Sequence, residues 1–238
     1  METIVIGGGI GGLTLALSLQ AAGTGRVRVY EAAAEMKALG VGITLGPHAM
    51  RELSALGLED DLVATSCQPQ QYVFFTRHGQ FVYREPWGKA AGHQWPHISL
   101  LRPDLQRVLL TAVRQRIGAE NFMTGHRCVH AEQSGDRVTA RFVDPSGKPL
   151  PHAEGDVLIA CDGVHSAVRA GFYPDEGPFK FRGFNLWRGT TIHKPFLGGD
   201  SIARIGARHS TLIIYPLRKN YDGNGNQLTT ANQSLTYD

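Results

Sequence analysis

The stretch IVIGGGIGGLTLALSLQAAGTGRVRVYE, residues 4–31, constrains this chain more than any other. Thr3 to Ile6 read as a short buried strand. Gly7, Gly9 and Gly12 follow at G-x-G-x-x-G spacing, with Gly8 and Gly11 as extra glycines inside the motif. The run LTLALSLQAAG alternates Leu with smaller residues, which taken alone suggests another strand. Its richness in Ala and Leu, its single β-branched residue Thr14 and the closing Gly23 favour a helix buried on most sides. RVRVYE then alternates as a second strand and ends on Glu31. Backbone N–H groups at such a turn can receive a phosphate only where no Cβ blocks the approach, and the helix N-terminus adds favourable partial positive charge. A carboxylate at the end of the second strand can accept both hydroxyls of an adenosine ribose. Strand, glycines, helix, strand and acid in register predict an adenine dinucleotide site. On these residues alone, FAD and NAD both remain open.

The rest of the composition narrows the class. With 238 residues, 42% hydrophobic and 19% charged, the chain has material for one large or two small domains of an ordinary soluble protein. The net charge of +3 comes from mixed acids and bases, with no basic stripe that would suggest nucleic acid. Cys67, Cys128 and Cys161 are odd in number and widely spaced, so reduced thiols and a cytoplasmic location are expected. His126 and His130 stand four apart in a stretch that reads as strand, and no metal site is expected. No signal peptide is convincing, and no apolar run is long enough to span a membrane.

Further along, PHAMRELSALGL reads as a helix with Pro47 near its start. QYVFFT and QFVYRE form a β-hairpin turned at Arg77-His78-Gly79. ISLLRPDLQRVLLTAVRQRIG reads as a strand entering a helix whose apolar stripe is Leu105, Val108, Leu109, Ala112 and Val113. RCVHAEQ and RVTARFV make a second hairpin, and GDVLIACDGVHSAVR a buried strand, a tight turn and a short helix. FNLWRGTTIH and STLIIYP read as later strands. From residue 219 the composition shifts to Asn, Gln, Thr and Gly, and 219–238 is expected to be unstructured.

Two elements have competing explanations. Arg102 and Gln106 lie four apart across a helix start, where a guanidinium can clamp phosphate or simply be solvated. Asp162 sits where a strand gives way to a helix, where it can cap that helix or bond a ribityl hydroxyl. Gly163 would permit close approach, and Arg169 can hold the segment by ion pairing.

Taken together, the N-terminal glycine motif, the Arg before the second long helix and the D-G-x-x-S-x-x-R segment (Asp162, Gly163, Ser166, Arg169) resemble the single-component FAD-dependent monooxygenases, the aromatic-hydroxylase family. LGVGITLGP, SLLRPDLQRVLLTAVR and LWRGTT are most similar to its phenazine-hydroxylase and salicylate-hydroxylase-like members. The resemblance implies an α/β fold, with a Rossmann-like FAD-binding domain of aromatic-hydroxylase type and a β-sheet substrate domain that is incomplete here. The implied organisation is FAD-binding at 1–70 and 99–177, a substrate-domain hairpin at 71–98, and the start of the substrate domain at 178–218. The implied cofactor contacts are Gly7, Gly9, Ile10, Gly11, Gly12, Glu31, Gly42, Arg102, Gln106, Val129, Asp162 and Gly163.

The same resemblance implies NAD(P)H as co-substrate and oxygen transfer from a flavin C4a-hydroperoxide to an electron-rich aromatic or heteroaromatic ring, with or without a carboxylate. No protein nucleophile or base is needed for that chemistry, and no catalytic residue is assigned. Trp187, Arg188 and Tyr215 are the substrate candidates, with Arg188 suited to a carboxylate. A core Trp187 and a surface Arg188 fit the sequence equally well. Two departures from the family stand out. Cys161 replaces a common Ala, and the third fingerprint, Gly-Asp with Ala-Ala-His, is absent, so a truncated chain with impaired turnover is expected. A catalytically dead FAD-binding fragment and an NAD-dependent dehydrogenase are the alternatives.

Overall fold

The computed structural model describes residues 1–36, 40–207 and 209–236. The chain divides into two compact units, each assembled from two separate stretches: Met1–Ala38 with Gln106–Phe179, and Leu39–Leu105 with Lys180–Asp238. The division falls inside one helix, Arg102–Arg116, between Leu105 and Gln106.

The first unit is built on a four-stranded parallel sheet in the order Val157–Ala160, Glu2–Ile6, Arg26–Tyr30, Phe122–Met123. Ile4, Val5, Ile6, Val27 and Val29 are all buried, as expected of parallel strands covered on both faces. Helix Ile10–Ala21 follows the first strand and buries Leu13, Ala16 and Leu17, so the helix reading of LTLALSLQAAG holds against its alternation. A three-stranded antiparallel sheet, Pro149–Gly155, Arg137–Val143 and Arg127–Ser134, supplies Ala153, Ala140, Phe142 and Cys128 to a core shared with Ile4, Ile6 and Tyr30. The rings of Tyr30 and Phe142 stack there, with centroids 4.4 Å apart. The Pro149–Gly155 strand was not legible in the sequence. Its two prolines argue against a strand; Pro149 is its first residue, and Pro151 falls in a register shift between Leu150 and Ala153.

The second unit carries a six-stranded sheet in the order Phe184–His193, Gln227–Thr236, Ser210–Arg218, Ser201–Ala207, Gln71–Phe75, Phe81–Pro86. Only the Ser201–Ala207 and Gln71–Phe75 pair is parallel. A separate two-stranded ladder joins Gly42–Leu45 to Ile98–Leu101, and helix Pro47–Ala55 follows it with Met50 and Leu53 buried.

One expectation about chain organisation is corrected. Residues 219–236 are structured, and 237–238 lie outside the described residues. Gln227–Thr236 is a ten-residue strand paired on both edges. Composition misleads here because threonine is polar yet β-branched. Thr229 and Thr230 are buried, and a strand paired on both sides satisfies its backbone without much apolar material. The turn before it is held by Asp222, whose carboxylate accepts the Asn224 N–H at 2.9 Å and the Asn226 side-chain N–H at 2.7 Å. Residues 40–70 and 99–105 belong by their contacts to the compact unit that carries the six-stranded sheet. Gly42 packs where a Cβ would stand 2.6 Å from Leu217 and 2.7 Å from Thr230, and the Ser99 hydroxyl donates to the carbonyl of Pro216.

Candidate functional site

In the first unit the glycines of the motif divide by purpose. Gly7 has φ +103°, and a Cβ on it would lie 2.4 Å from the Cys161 carbonyl. A Cβ on Gly12 would lie 1.9 Å from the carbonyl of Gly7, so that glycine lets helix and strand meet. Gly9 and Gly11 are different. A Cβ at either would meet no protein atom within 4 Å, and neither has a positive φ. The fold does not require glycine at these two positions, and the space beside them is a cradle that side chains would fill.

The helix starting at Ile10 is capped by no side chain and carries no acid in its first turn. Its first internal bond runs from Leu13 N–H to the Gly9 carbonyl at 2.9 Å, leaving the preceding N–H groups for an anion.

Glu31 ties this loop to the second strand. One carboxylate oxygen accepts the Gly8 N–H at 2.7 Å and the other accepts the Ala33 N–H at 2.7 Å. Each oxygen keeps a further lone pair. The Gln106 amide reaches the carbonyl of Gly8 at 3.4 Å. Val129 occupies the register shift between Cys128 and His130, where a bulge leaves its backbone out of the ladder and its side chain exposed.

The Asp162 segment stands beside the glycine loop at the carboxyl ends of adjacent parallel strands, where open α/β sheets bind ligands. The Cys161 N–H donates to Ile6 at 2.7 Å, and a Cβ on Gly7 would come within 3.0 Å of Asp162 Cα. Asp162 Oδ2 accepts the Ala167 N–H at 2.9 Å, whereas Oδ1 is enclosed and has no hydrogen-bond partner among the described residues. Ser166 caps the short Ala167–Phe172 helix by accepting the Arg169 N–H at 2.9 Å. Arg169 locks the turn through Glu176 at 2.9 Å and the Val164 carbonyl at 2.8 Å, as its spacing predicts. Gly163, with φ +80°, needs to be glycine for the turn itself.

The remaining candidates lie in the second unit. Arg102 is exposed at the first position of its helix, and its backbone N–H donates to Val41 at 3.0 Å. Its guanidinium has no hydrogen bond or ion pair among the described residues. Gly42 has a packing reason of its own, given above. Arg188 and Tyr215 line one cavity of about 320 Å³, together with Trp87, His97 and Asn232. Trp187 does not line it. Successive residues of a strand face opposite ways, and Trp187 is 49% exposed.

Trp87, His97 and Asn232 were missed in the sequence because no spacing marks them. Burial, with the nearby His48 adding to it, lowers the His97 pKa to about 4, so its imidazole is neutral at physiological pH. Among the described residues no group of three metal-ligating side chains forms, and no helix is long and apolar enough to cross a membrane.

Comparison with known proteins bears on the same residues. Residues 1–185 match the family described as FAD binding domain. A phenazine 1,6-dicarboxylic acid hydroxylase of Lysobacter antibioticus is 38% identical over 230 residues, covering 95% of this chain and 56% of that protein. An FAD-dependent urate hydroxylase of Klebsiella pneumoniae is 33% identical over 209 residues, covering 84% of this chain and 50% of that one. The solved structure of Klebsiella pneumoniae HpxO complexed with FAD and uric acid aligns with a TM-score of 0.78 at 27% identity, covering 98% of this chain and 56% of that one. The chain thus spans about half the length of the curated relatives it matches.

Proposed function

Because this chain belongs to the FAD binding domain family, alongside flavin-dependent aromatic hydroxylases, we propose that it serves the NAD(P)H- and O₂-dependent hydroxylation of an aromatic substrate. The cofactor is FAD and not NAD alone, which resolves the choice the glycine motif left open. The observation that carries this reading is the unpartnered, enclosed Oδ1 of Asp162 beside a glycine loop whose Gly9 and Gly11 face open space. An orphaned carboxylate oxygen and a cradle that a Cβ would fill are what a dinucleotide cofactor takes up.

Each residue then has a task. The N–H groups at the start of the Ile10 helix receive the pyrophosphate, and the lone pairs left on Glu31 accept ribose hydroxyls. The free backbone at Val129 suits the edge of an adenine. Asp162 accepts a ribityl hydroxyl, Gln106 steadies the loop through Gly8, and the unpaired fork of Arg102 is available to a phosphate or to the flavin side. When bound, FAD supplies the redox chemistry that places one oxygen atom of O₂ on the aromatic ring. The protein's own part is position, hydrogen bonding and exclusion of water, and this chemistry calls for no side-chain nucleophile or general base. Arg188 and Tyr215 hold the substrate in the cavity of the second unit. The free thiols of Cys67, Cys128 and Cys161 suit a reducing cytoplasm.

The test is spectroscopic. Purified protein incubated with FAD and desalted should keep flavin absorbance bands that bleach with NAD(P)H, and aromatic product should form in air. A colourless protein after desalting defeats the reading. Retained flavin with no bleaching and no product points instead to an FAD-binding fragment without turnover.

A further inference from the structure

Gly8 differs from the other glycines of its loop in what surrounds it. It is buried, and its φ is not positive. A Cβ there would stand 3.0 Å from Phe122 Cε2 and Cζ and 3.1 Å from Glu31 Cβ. That direction leads into the protein, whereas Gly9 and Gly11 face open space. The edge of the Phe122 ring is therefore packed against the Gly8 backbone. The N–H of that same residue is the one that Glu31 accepts at 2.7 Å. Loop, acid and ring meet at one point.

The chain around Phe122 holds that contact still. Phe122 is 7% exposed and pairs with Val29 in a strand of two residues at the edge of the parallel sheet. Next to it, the Met123 carbonyl accepts the Glu31 N–H at 2.8 Å, and the His126 N–H donates to the Glu31 carbonyl at 2.9 Å. The segment that carries the ring thus fixes the Glu31 backbone through both of its polar groups. The exposed Arg114 places its guanidinium 5.9 Å from the ring centroid, a cation–π contact that steadies the ring from the helix. The Glu31 carboxylate already binds the Gly8 and Ala33 N–H groups, so its seating decides where its remaining lone pairs point. In a close-packed interior a rigid ring sets that seating, because a gap beneath the loop would forfeit its contacts.

We propose that Phe122 is a positioning residue for the cofactor, its ring being the stop against which Gly8 and Glu31 seat so that the Glu31 carboxylate meets the adenosine ribose. This rests on the FAD reading and adds to it a residue that acts through Glu31. Leucine at position 122 would lack the two ring atoms that face Gly8, and the loop and its acid would settle into the space they leave.

The experiment titrates FAD by fluorescence into refolded apoprotein of residues 1–238, with circular dichroism to check that each variant is folded. Phe122→Leu should weaken FAD binding about tenfold, the size expected when one hydrogen bond to a charged group is misplaced. Gly8→Ala drives a methyl against the same ring and should weaken binding by a similar factor. In the double variant the methyl occupies the space the ring leaves, and affinity should return to within about threefold of wild type. In a Glu31→Ala background, Phe122→Leu should cost less than about threefold, because no carboxylate is left to place. A ring that serves only the fold predicts the opposite on both counts. Additive losses in Gly8→Ala with Phe122→Leu, an undiminished loss in the Glu31→Ala background, or wild-type affinity in Phe122→Leu would each overturn the proposal. Should Phe122→Leu not fold, Phe122→Met carries the same suppression test, since its flexible end yields to the methyl of Gly8→Ala. Wild type that keeps no flavin absorbance after desalting removes the FAD reading and this proposal with it. A yellow wild type with additive losses removes this proposal alone.

Discussion

The carboxylate of Glu31 accepts the backbone N–H of Gly8 at 2.7 Å, so the acid at the end of the second strand already holds the loop it would share with a cofactor. Glu31→Ala therefore removes a loop anchor and a ribose acceptor at once. FAD affinity should fall about tenfold or more, since hydrogen bonds to charged groups are worth about 1.5–3 kcal/mol. Glu31→Gln keeps one acceptor and should fall in between. Fluorescence titration of refolded apoprotein measures both, and wild-type affinity in Glu31→Ala would take Glu31 out of the site.

The glycines should separate stability from binding. Gly12→Ala forces a Cβ to within 1.9 Å of a carbonyl oxygen and should prevent folding or lower Tm sharply. Gly11→Ala meets nothing and lies in the helix, where alanine is favoured by up to about 1 kcal/mol. It should hold or raise Tm while weakening FAD binding. If Gly11→Ala binds FAD as wild type does, the open space beside it is not a cofactor cradle.

Arg102 and Asp162 should affect flavin occupancy more than fold. Arg102→Lys keeps the charge and loses the planar fork, so retained flavin should drop with circular dichroism unchanged. Asp162→Asn preserves an acceptor for the Ala167 N–H but changes what is offered to a ribityl hydroxyl. Asp162→Ala adds the loss of that cap, about 1 kcal/mol of stability. Full occupancy in both Arg102→Lys and Asp162→Asn would show that neither residue serves the cofactor.

His97 should make the fold acid-sensitive. Its pKa is lowered to about 4 in the folded chain, against about 6.5 for an ordinary histidine, so between those values the unfolded chain binds a proton that the folded chain does not. Stability should be fully present above about pH 6.5 and fall as pH drops towards 4, by at most about 1.4 kcal/mol per unit. His97→Gln should flatten that slope. Carboxylates such as Asp144 and Asp156, whose pKa values are lowered by hydrogen bonds, titrate in both proteins and cancel in the comparison. Denaturant titrations of both proteins from pH 7 to pH 4 measure the difference, and parallel slopes would refute the assignment.

The legible parts of the site were those whose chemistry is local in sequence. The Gly7–Gly12 loop, Glu31 and the Asp162–Arg169 turn each declare themselves within a few residues, because tight turns and caps are short-range devices. The cavity of the second unit is not local. Arg188, Tyr215 and Asn232 meet only through the register of three strands, and Trp87 and His97 reach it from a different stretch of chain. Alternation separates Trp187 from Arg188, but on an edge strand with all ten residues exposed it cannot say which of the two faces inward. The Gln227–Thr236 strand was hidden by its own polarity, and Val129 owes its free backbone to a bulge that no composition announces.

The central strand Glu2–Ile6 lies between Arg26–Tyr30 and Val157–Ala160, and the bond between Glu2 N–H and Asp156 beside it joins positions 154 residues apart. That topology sets the order in which the cofactor unit can assemble. The first hairpin-free βαβ turn can form early, but its inner strand keeps one edge unpaired until the distant partner is found, and loop closure over such a span is slow compared with local structure. During that interval Ile4, Val5 and Ile6 present an apolar ribbon with open backbone groups, which is the form most prone to capture by other chains. Folding yield, and its dependence on chain concentration, is therefore governed by the arrival of residues 157–160 more than by the glycine loop that those residues complete.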